Sequence, residues 1–372
     1  MSARANSASS ACDACLRRSW LIARLAGYIE LAWSTRRGSA ALLALDEAAL
    51  IDALAGGRRA AIAREHGRFD ADALRRRCSA AAVAAVCGCD TRYPAPLRDL
   101  PDAPSVLYVR GRLERVEQGL ARDRVAIVGA RRASPYGLEQ ARGLARDVAA
   151  AGLAVVSGMA LGVDAAAHVG ALEASGLTLA VLACGPELAY PASKRRLHAR
   201  IAETGAVVAE LPPGTAPRRW CFPARNRIIA ALGHVTVVVE AGERSGSLIT
   251  AGQAADLGRD VAAVPGLVSS PLAAGANALI ADGARLVRDA RDVLELLRGP
   301  GASALAGECA DPRRAALDPD LTALLERICA GQDTVAALGE GAGMDATLAG
   351  LAQLELRGLV RRAAGGRYVP SA

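Results

Sequence analysis

Aromatic side chains are scarce in this chain: two phenylalanines, three tryptophans and six tyrosines among 372 residues. The core must therefore be built mainly from Ala, Val and Leu, and any local cluster of aromatics stands out. Lysine is nearly missing. Lys194 is the sole one, and every other member of the 45 Lys and Arg is an arginine. A GC-rich coding sequence produces that bias, so a single arginine carries little information unless a motif surrounds it. Long apolar runs are missing too. None reaches the roughly 20 residues a membrane-spanning helix needs. Residues 1–11 are small and polar, without an apolar segment before a cleavage site, so no secretory signal is expected. A cytoplasmic location follows by default.

What is present points elsewhere. The net charge of +7 suits a polyanionic partner, because neutralising phosphates releases counterions and drives binding. The nine cysteines are odd in number and irregular in spacing, which argues against a secreted disulfide framework. Cys12-x-x-Cys15 and Cys87-x-Cys89 could supply two halves of a four-thiolate zinc site. The tight spacing of the second pair favours free, reduced thiols instead. The expectation is therefore no metal and no cofactor.

The length allows two or three domains. Residues 1–85 read as a small helical domain, SAM-like or a degenerate helix–hairpin–helix, with helical spacing around Trp20 to Ile29, Ala41 to Leu54 and Phe69 to Val86. Residues 86–298 alternate short apolar runs with helical stretches. The runs are Val125 to Val128, Ala154 to Val156, Thr178 to Leu182, Ala206 to Ala209, Val235 to Val239 and Val261 to Val264. That order predicts an α/β fold with an extended Rossmann-like parallel sheet. Residues 299–317, with Gly299-Pro300-Gly301 and Asp311-Pro312, read as a linker. Residues 318–372 predict a winged helix: helices at Leu321 to Ile328 and Met344 to Leu356, then a hairpin turning at Gly365-Gly366. Such a unit binds duplex DNA or a protein.

The chemistry concentrates at strand ends. After the first run comes Gly129-Ala130-Arg131-Arg132. Glycine lets the backbone turn sharply toward a phosphate, and the next helix N-terminus offers N–H groups and a positive dipole end. The dinucleotide fingerprint is not met, since its second and third glycines are missing. Arg131 stands where a pyrophosphate would need room. After the second run, Ser157-Gly158 leads to Asp164 and His168. Their i,i+4 spacing reads as a hydrogen-bonded pair that fixes the loop, because no nucleophile completes a triad. Lys194 opens a basic run. The segment Arg218-Arg219-Trp220-Cys221-Phe222-Pro223-Ala224-Arg225-Asn226-Arg227 is the most informative. Two rare aromatics lie between arginines, as in a stacking platform beside a phosphate track. Ser245-Gly246-Ser247 before a helix is a further phosphate nest.

Several of these motifs stand in a fixed order: Val-Gly-Ala-Arg-Arg, Ser-Gly-Met-Ala-Leu-Gly-Val-Asp, Phe-Pro-Ala-Arg-Asn-Arg-Ile-Ile-Ala, Ser-Gly-Ser-Leu-Ile-Thr-Ala, Val-Pro-Gly and Gly-Ala-Asn-Ala-Leu-Ile. The series resembles the DNA-processing protein A (DprA/Smf) family over about residues 90 to 290. The resemblance implies single-stranded DNA binding in a basic pocket, homodimerisation and handover of the strand to the RecA recombinase in natural transformation or recombination. It implies no catalysis. It places the pocket arginine at Arg131, a second basic residue at Arg219 and the pocket phenylalanine at Phe222. Ala130 replaces the family's common Ser or Thr, and Lys194 its common Asn. The candidate nucleic-acid-binding set is thus Gly129, Ala130, Arg131, Arg132, Ser157, Gly158, Lys194, Arg219, Phe222, Arg225, Asn226, Arg227, Ser245, Gly246 and Ser247, with Trp220 as a second stacking candidate. The competing function is a nucleotide-processing enzyme of the lysine-decarboxylase-like Rossmann group. Its Pro-Gly-Gly-x-Gly-Thr signature is absent from the sequence.

Overall fold

The computed structural model describes residues 11–34, 39–299, 317–329, 332–339, 343–363 and 366–370. The chain divides into two compact units, Met1–Ser303 and Ala304–Ala372.

The first unit opens with helices α1 (Asp13–Arg24), α2 (Ala26–Ser34), α3 (Ser39–Leu43), α4 (Glu47–Leu54), α5 (Arg59–Gly67) and α6 (Ala71–Ala80). Asp46 and Asp70 cap α4 and α6 by accepting the N–H of Ala49 and Ala73, which satisfies donors the helix cannot pair internally. The helical pattern expected to continue to Val86 stops at Ala80. Ala82 takes a φ of 52°, and Val83–Cys87 is strand β1, buried along its whole length. An apolar strand covered on both faces shows no alternation, so its periodicity cannot separate it from a helix.

The remaining strands are β2 (Val106–Gly111), β3 (Arg124–Val128), β4 (Ala154–Ser157), β5 (Thr178–Leu182), β6 (Ala206–Ala209), β7 (Val235–Val238), β8 (Asp260–Ala263) and β9 (Arg285–Leu286). They form one sheet in the order β1-β2-β6-β5-β4-β3-β7-β8-β9. From β6 to β9 every pairing is parallel. β2 runs antiparallel to β6 and β1 antiparallel to β2. The six apolar runs became β3 to β8, each within a residue or so. Between strands lie α7 (Ala95–Arg98), α8 (Leu113–Leu120), α9 (Pro135–Ala150), α10 (Val163–Glu173), α11 (Arg195–Thr204), α12 (Cys221–Leu232), α13 (Gly246–Asp256) and α14 (Ala274–Ala281), and α15 (Ala290–Arg298) follows β9. The strand order reverses between β3 and β7, and in open α/β sheets ligands bind beyond the C-terminal strand ends at that point.

The N-terminal helices pack onto this sheet unit. Leu21, Leu25, Ile29 and Leu50 share one core with Leu211, Trp220 and Ala224. Trp220 is 1% exposed, and its indole N–H donates to the Ala26 carbonyl at 3.0 Å. Burying a tryptophan removes roughly 200 Å² from water, on the order of 5 kcal/mol. Trp220 therefore holds the helices to the sheet and is unavailable for stacking on a base. The Pro-rich sequence around it hid this, because the covering residues come from a distant segment.

The Asp164–His168 pair expected from spacing is replaced by other partners. His168 Nδ1 and Thr178 Oγ1 lie 2.7 Å apart, and Thr178 donates its own hydrogen to the Val155 carbonyl, so the proton of this bond sits on Nδ1. Asp164 instead accepts the N–H of Ala160. Burial pushes the His168 pKa from the ordinary 6.5 down to about 3. Its contribution to stability is complete above pH 6.5 and is lost as pH falls toward 3, because only the unfolded chain takes up the proton. The loss is on the order of 3 kcal/mol at pH 4.5. The buried Asp164 carboxyl has a raised pKa and acts in the opposite sense. Melting curves between pH 7.5 and 4.5 are expected to fall steeply for the native chain and less steeply for His168→Gln. Parallel curves would contradict this account.

The second unit contains α16 (Pro319–Cys329), α17 (Val335–Gly339), α18 (Met344–Leu356) and the hairpin β10 (Val360–Arg362) and β11 (Tyr368–Pro370). Leu321, Leu325, Leu338, Leu351, Leu354 and Tyr368 form its core. Three helices followed by a hairpin is the element order of a winged helix. The sequence suggested two of these helices; Val335–Gly339 is too short for a periodic signal. The expected linker lies outside the described residues from 300 to 316, as does Gly365 of the expected turn.

Candidate nucleic-acid interface

A cleft of about 460 Å³ opens at the C-terminal ends of β3 and β7. Gly129, Ala130, Arg131 and Arg132 form one wall as the chain leaves β3. Ser245, Gly246 and Ser247 form the other, at the start of α13. The two loops nearest its floor touch because of one residue. Gly162 has a φ of 79°, and a side chain there would lie 2.1 Å from the Ala130 carbonyl oxygen. Glycine thus lets the β4–α10 loop close against the β3–α9 loop.

The N-terminus of α9 does not offer free N–H groups as the sequence suggested. Glu240, 4% exposed, fills that place. Its carboxylate accepts the Ser134 N–H and the Ser134 hydroxyl, both at 2.8 Å. A protein carboxylate therefore occupies the positive helix end at which a dinucleotide Rossmann domain seats its pyrophosphate. The same residue joins β7 to β3, since the Ala130 N–H donates to its carbonyl at 2.6 Å. At the α13 N-terminus the Ser245 hydroxyl accepts the Ser247 N–H. Ser245 and Ser247 bond to each other at 2.7 Å.

The basic-aromatic segment is not one continuous track. It enters helix α12, and the helix phase sorts its side chains. Phe222, Arg225, Asn226 and Ile229 line the cleft, with the i, i+3, i+4, i+7 spacing of one helix face. Arg227 sits about 140° around the helix from Phe222 and turns away from the cleft. Its buried guanidinium pairs with Glu210 at 2.8 Å and Asp102 at 2.9 Å. Arg227 is a core ion-pair residue, and the expected phosphate contact is corrected. Arg225 is buried beneath the cleft. It donates to the Gly158 carbonyl at 2.6 Å and to the Val181 carbonyl. Burial lowers its pKa to about 10, so it remains cationic at neutral pH and lends positive potential to the floor.

Arg131 is, with Arg132, an exposed cation of the site. Its guanidinium carbon lies 4.8 Å from the centre of the Phe222 ring, and no hydrogen bond or ion pair to another described residue holds it. Tyr190 packs against Phe222 at 5.6 Å between ring centres. A smaller cavity of about 80 Å³ continues past this pair, lined by Gly158, Leu161, Tyr190 and Arg225. Arg131 and Phe222 line both cavities. An arginine stacked on an aromatic ring presents a phosphate-binding fork and a flat apolar face side by side.

Three further candidates stand apart. Ser157 is buried, with its hydroxyl donating to the Ile127 carbonyl at 2.6 Å. Lys194 and Arg219 line neither cavity. Arg219 is exposed, and its N–H donates to Glu30 at 3.3 Å. Conversely, Trp33 at the end of α2 lines the larger cleft and is 36% exposed. Sequence reading missed it although Arg36, Arg37 and Gly38 follow closely, because no strand end lies nearby to suggest a site. Its rarity as one of three tryptophans was the available signal. Tyr190, Leu161 and Ile249 extend the exposed apolar rim.

Residues 84–298 match the family described as DNA recombination-mediator protein A. A DprA-type DNA processing protein of Mycobacterium tuberculosis is 46% identical over 227 residues, covering 60% of this chain and 56% of that protein. The match thus spans little more than half the length of that relative. The crystal structure of DNA processing protein A from Streptococcus pneumoniae is 33% identical with a TM-score of 0.61, covering 76% of this chain and 95% of that one. DNA processing protein A from Helicobacter pylori, whose structure concerns its single-stranded DNA binding mode, is 28% identical with a TM-score of 0.52, covering 58% and 95%. With the family match running from β1 to the end of α15 and enclosing both walls of the cleft, the chain belongs to the DNA recombination-mediator protein A family.

Proposed function

We propose that this protein binds single-stranded DNA in the cleft between β3 and β7 and acts by binding rather than by covalent chemistry. The observation that carries the reading is the Arg131–Phe222 stack at the mouth of both cavities. Arg131, Arg132 and the α13 N-terminus hold backbone phosphates, while Phe222, Tyr190 and Trp33 offer faces to unstacked bases. Such contacts read no base edges, so sequence preference is slight. Kinship with the recombination-mediator family supports a further step: a homodimer protects the strand and passes it to the RecA recombinase. The Glu240 carboxylate at the α9 N-terminus weighs against the nucleotide-processing alternative.

The test is a competition between oligo(dT) and duplex DNA across a salt series, with the full chain. Oligo(dT) is expected to win at every salt, and its affinity to fall linearly on a log–log plot. Equal affinity for duplex at all salts would overturn the proposal.

A further inference from the structure

Far along the sheet edge from the cleft, the fold brings four cysteines together from two segments. Cys12 precedes α1 and Cys15 lies in its first turn. Cys87 ends β1, and Cys89 follows in the turn toward β2. Their four Sγ atoms all lie within 4.8 Å of one another. The Cys12–Cys89 and Cys12–Cys87 sulfur separations are each 4.0 Å.

We propose that these four thiolates form a structural zinc site. A tetrahedral zinc with Zn–S bonds of about 2.3 Å sets its sulfurs roughly 3.8 Å apart, close to this spacing. Paired disulfides are a different arrangement, with each bonded pair at about 2.05 Å. An iron–sulfur cluster needs its ligands spread around several metal atoms, which this compact set does not allow. Four protein ligands also leave no open coordination position, the mark of a structural rather than catalytic zinc. The one-residue spacing of Cys87 and Cys89 argued against a site when read as sequence. The turn after β1 answers it: the Asp90 N–H bonds back to the Cys87 carbonyl at 2.9 Å, which folds Cys89 round toward the same point.

The surroundings suit the net negative charge of zinc with four thiolates. The Cys12 N–H points at Cys87 Sγ at 3.5 Å, and the positive end of α1 faces the cluster. Two arginines pin the ligand-bearing loops from outside. Arg75 donates to the Ala11 carbonyl at 3.0 Å. Arg98 donates to the carbonyls of Gly88 at 2.8 Å and Asp90 at 2.6 Å. Such outer contacts orient metal ligands. Each thiol that ligates zinc gives up its proton, and no oxidation is involved. The ion would staple α1 to the β1–β2 hairpin. It would thereby anchor the helices that carry Trp33 and clamp Trp220, and the presence of the ion can be tested apart from DNA binding.

The full chain, purified without added metal, is expected to carry about one zinc per chain by elemental analysis. Cobalt(II) exchanged into it should give the visible absorption of a tetrahedral thiolate site. Cys89→Ser changes an exposed side chain and is expected to lower bound zinc at least tenfold while the protein still folds. Cys78→Ser, a buried cysteine outside the cluster, leaves the zinc in place. Should Cys78→Ser prove insoluble, Cys184→Ser serves the same purpose. Iron in place of zinc, no metal with four freely titrating thiols, or unchanged zinc in Cys89→Ser would each overturn the assignment.

Discussion

Replacing Arg131 by alanine is expected to weaken oligo(dT) binding by about 10- to 100-fold, with melting temperature unchanged. A charge-assisted hydrogen bond contributes about 1.5–3 kcal/mol, which is that range of affinity. The stability half of the expectation follows from exposure: no hydrogen bond or ion pair to another described residue ties the guanidinium down, and its folded-state contact is the Phe222 face at 4.8 Å. Salt separates its two roles. Losing one phosphate contact should make the log–log slope shallower by about 0.7, the value for a single strand. Phe222→Ala removes a stacking face and should cost about 1–3 kcal/mol of binding with the slope intact. Arg131→Lys keeps the charge and should restore the slope, but not the full affinity, because a lysine cannot stack as a planar guanidinium does. If Arg131→Ala binds as the native chain does at every salt, the cleft is not the DNA site.

The sheet was legible because its strands are buried Val- and Ala-rich runs of strand length, separated by helical stretches. The walls of the cleft were legible for a related reason. Glycines at strand ends mark where a backbone must turn and approach something, and Gly129, Gly158 and Gly246 all lie there. Most of the failures share one cause, which is distance in sequence. Glu240 reaches Ser134 across 106 residues, and nothing near Ser134 announces a carboxylate. Trp220 is covered by Ala26 from 194 residues away. Trp33 enters the cleft from a helix whose own composition is unremarked. The arginines of α12 failed differently. Read as a loop, Arg225 and Arg227 both belong to a phosphate track; read as a helix, the 100° step per residue sends one to the floor and the other into the core. The thiols repeat the pattern, since Cys12 and Cys87 meet only because α1 packs beside β1.

Arg227 gives the sharpest contrast with Arg131, and the expected result is the reverse. Arg227→Ala should lower stability by about 3–5 kcal/mol, as breaking a buried ion pair does, or about 10 °C in melting temperature for a unit of this size. The reason lies in what remains. Arg227 is 4% exposed and holds Glu210 through both oxygens at 2.8 and 2.9 Å. It also pairs with the Asp102 carboxylate at 2.9 Å and donates to the Asp102 and Ala224 carbonyls. Removing it leaves two carboxylates of like charge in a dry interior, one at the end of β6 and one before β2. Changing all three groups together should cost far less, because the penalty comes mostly from orphaned charge. Arg227→Met with Glu210→Gln and Asp102→Asn is therefore expected to recover a large part of the loss. Thermal melts of the single and triple variants decide this. DNA binding by the folded fraction of each should stay near native, since Arg227 lines neither cavity. A single variant that melts normally yet loses DNA would reverse the assignments of Arg227 and Arg131.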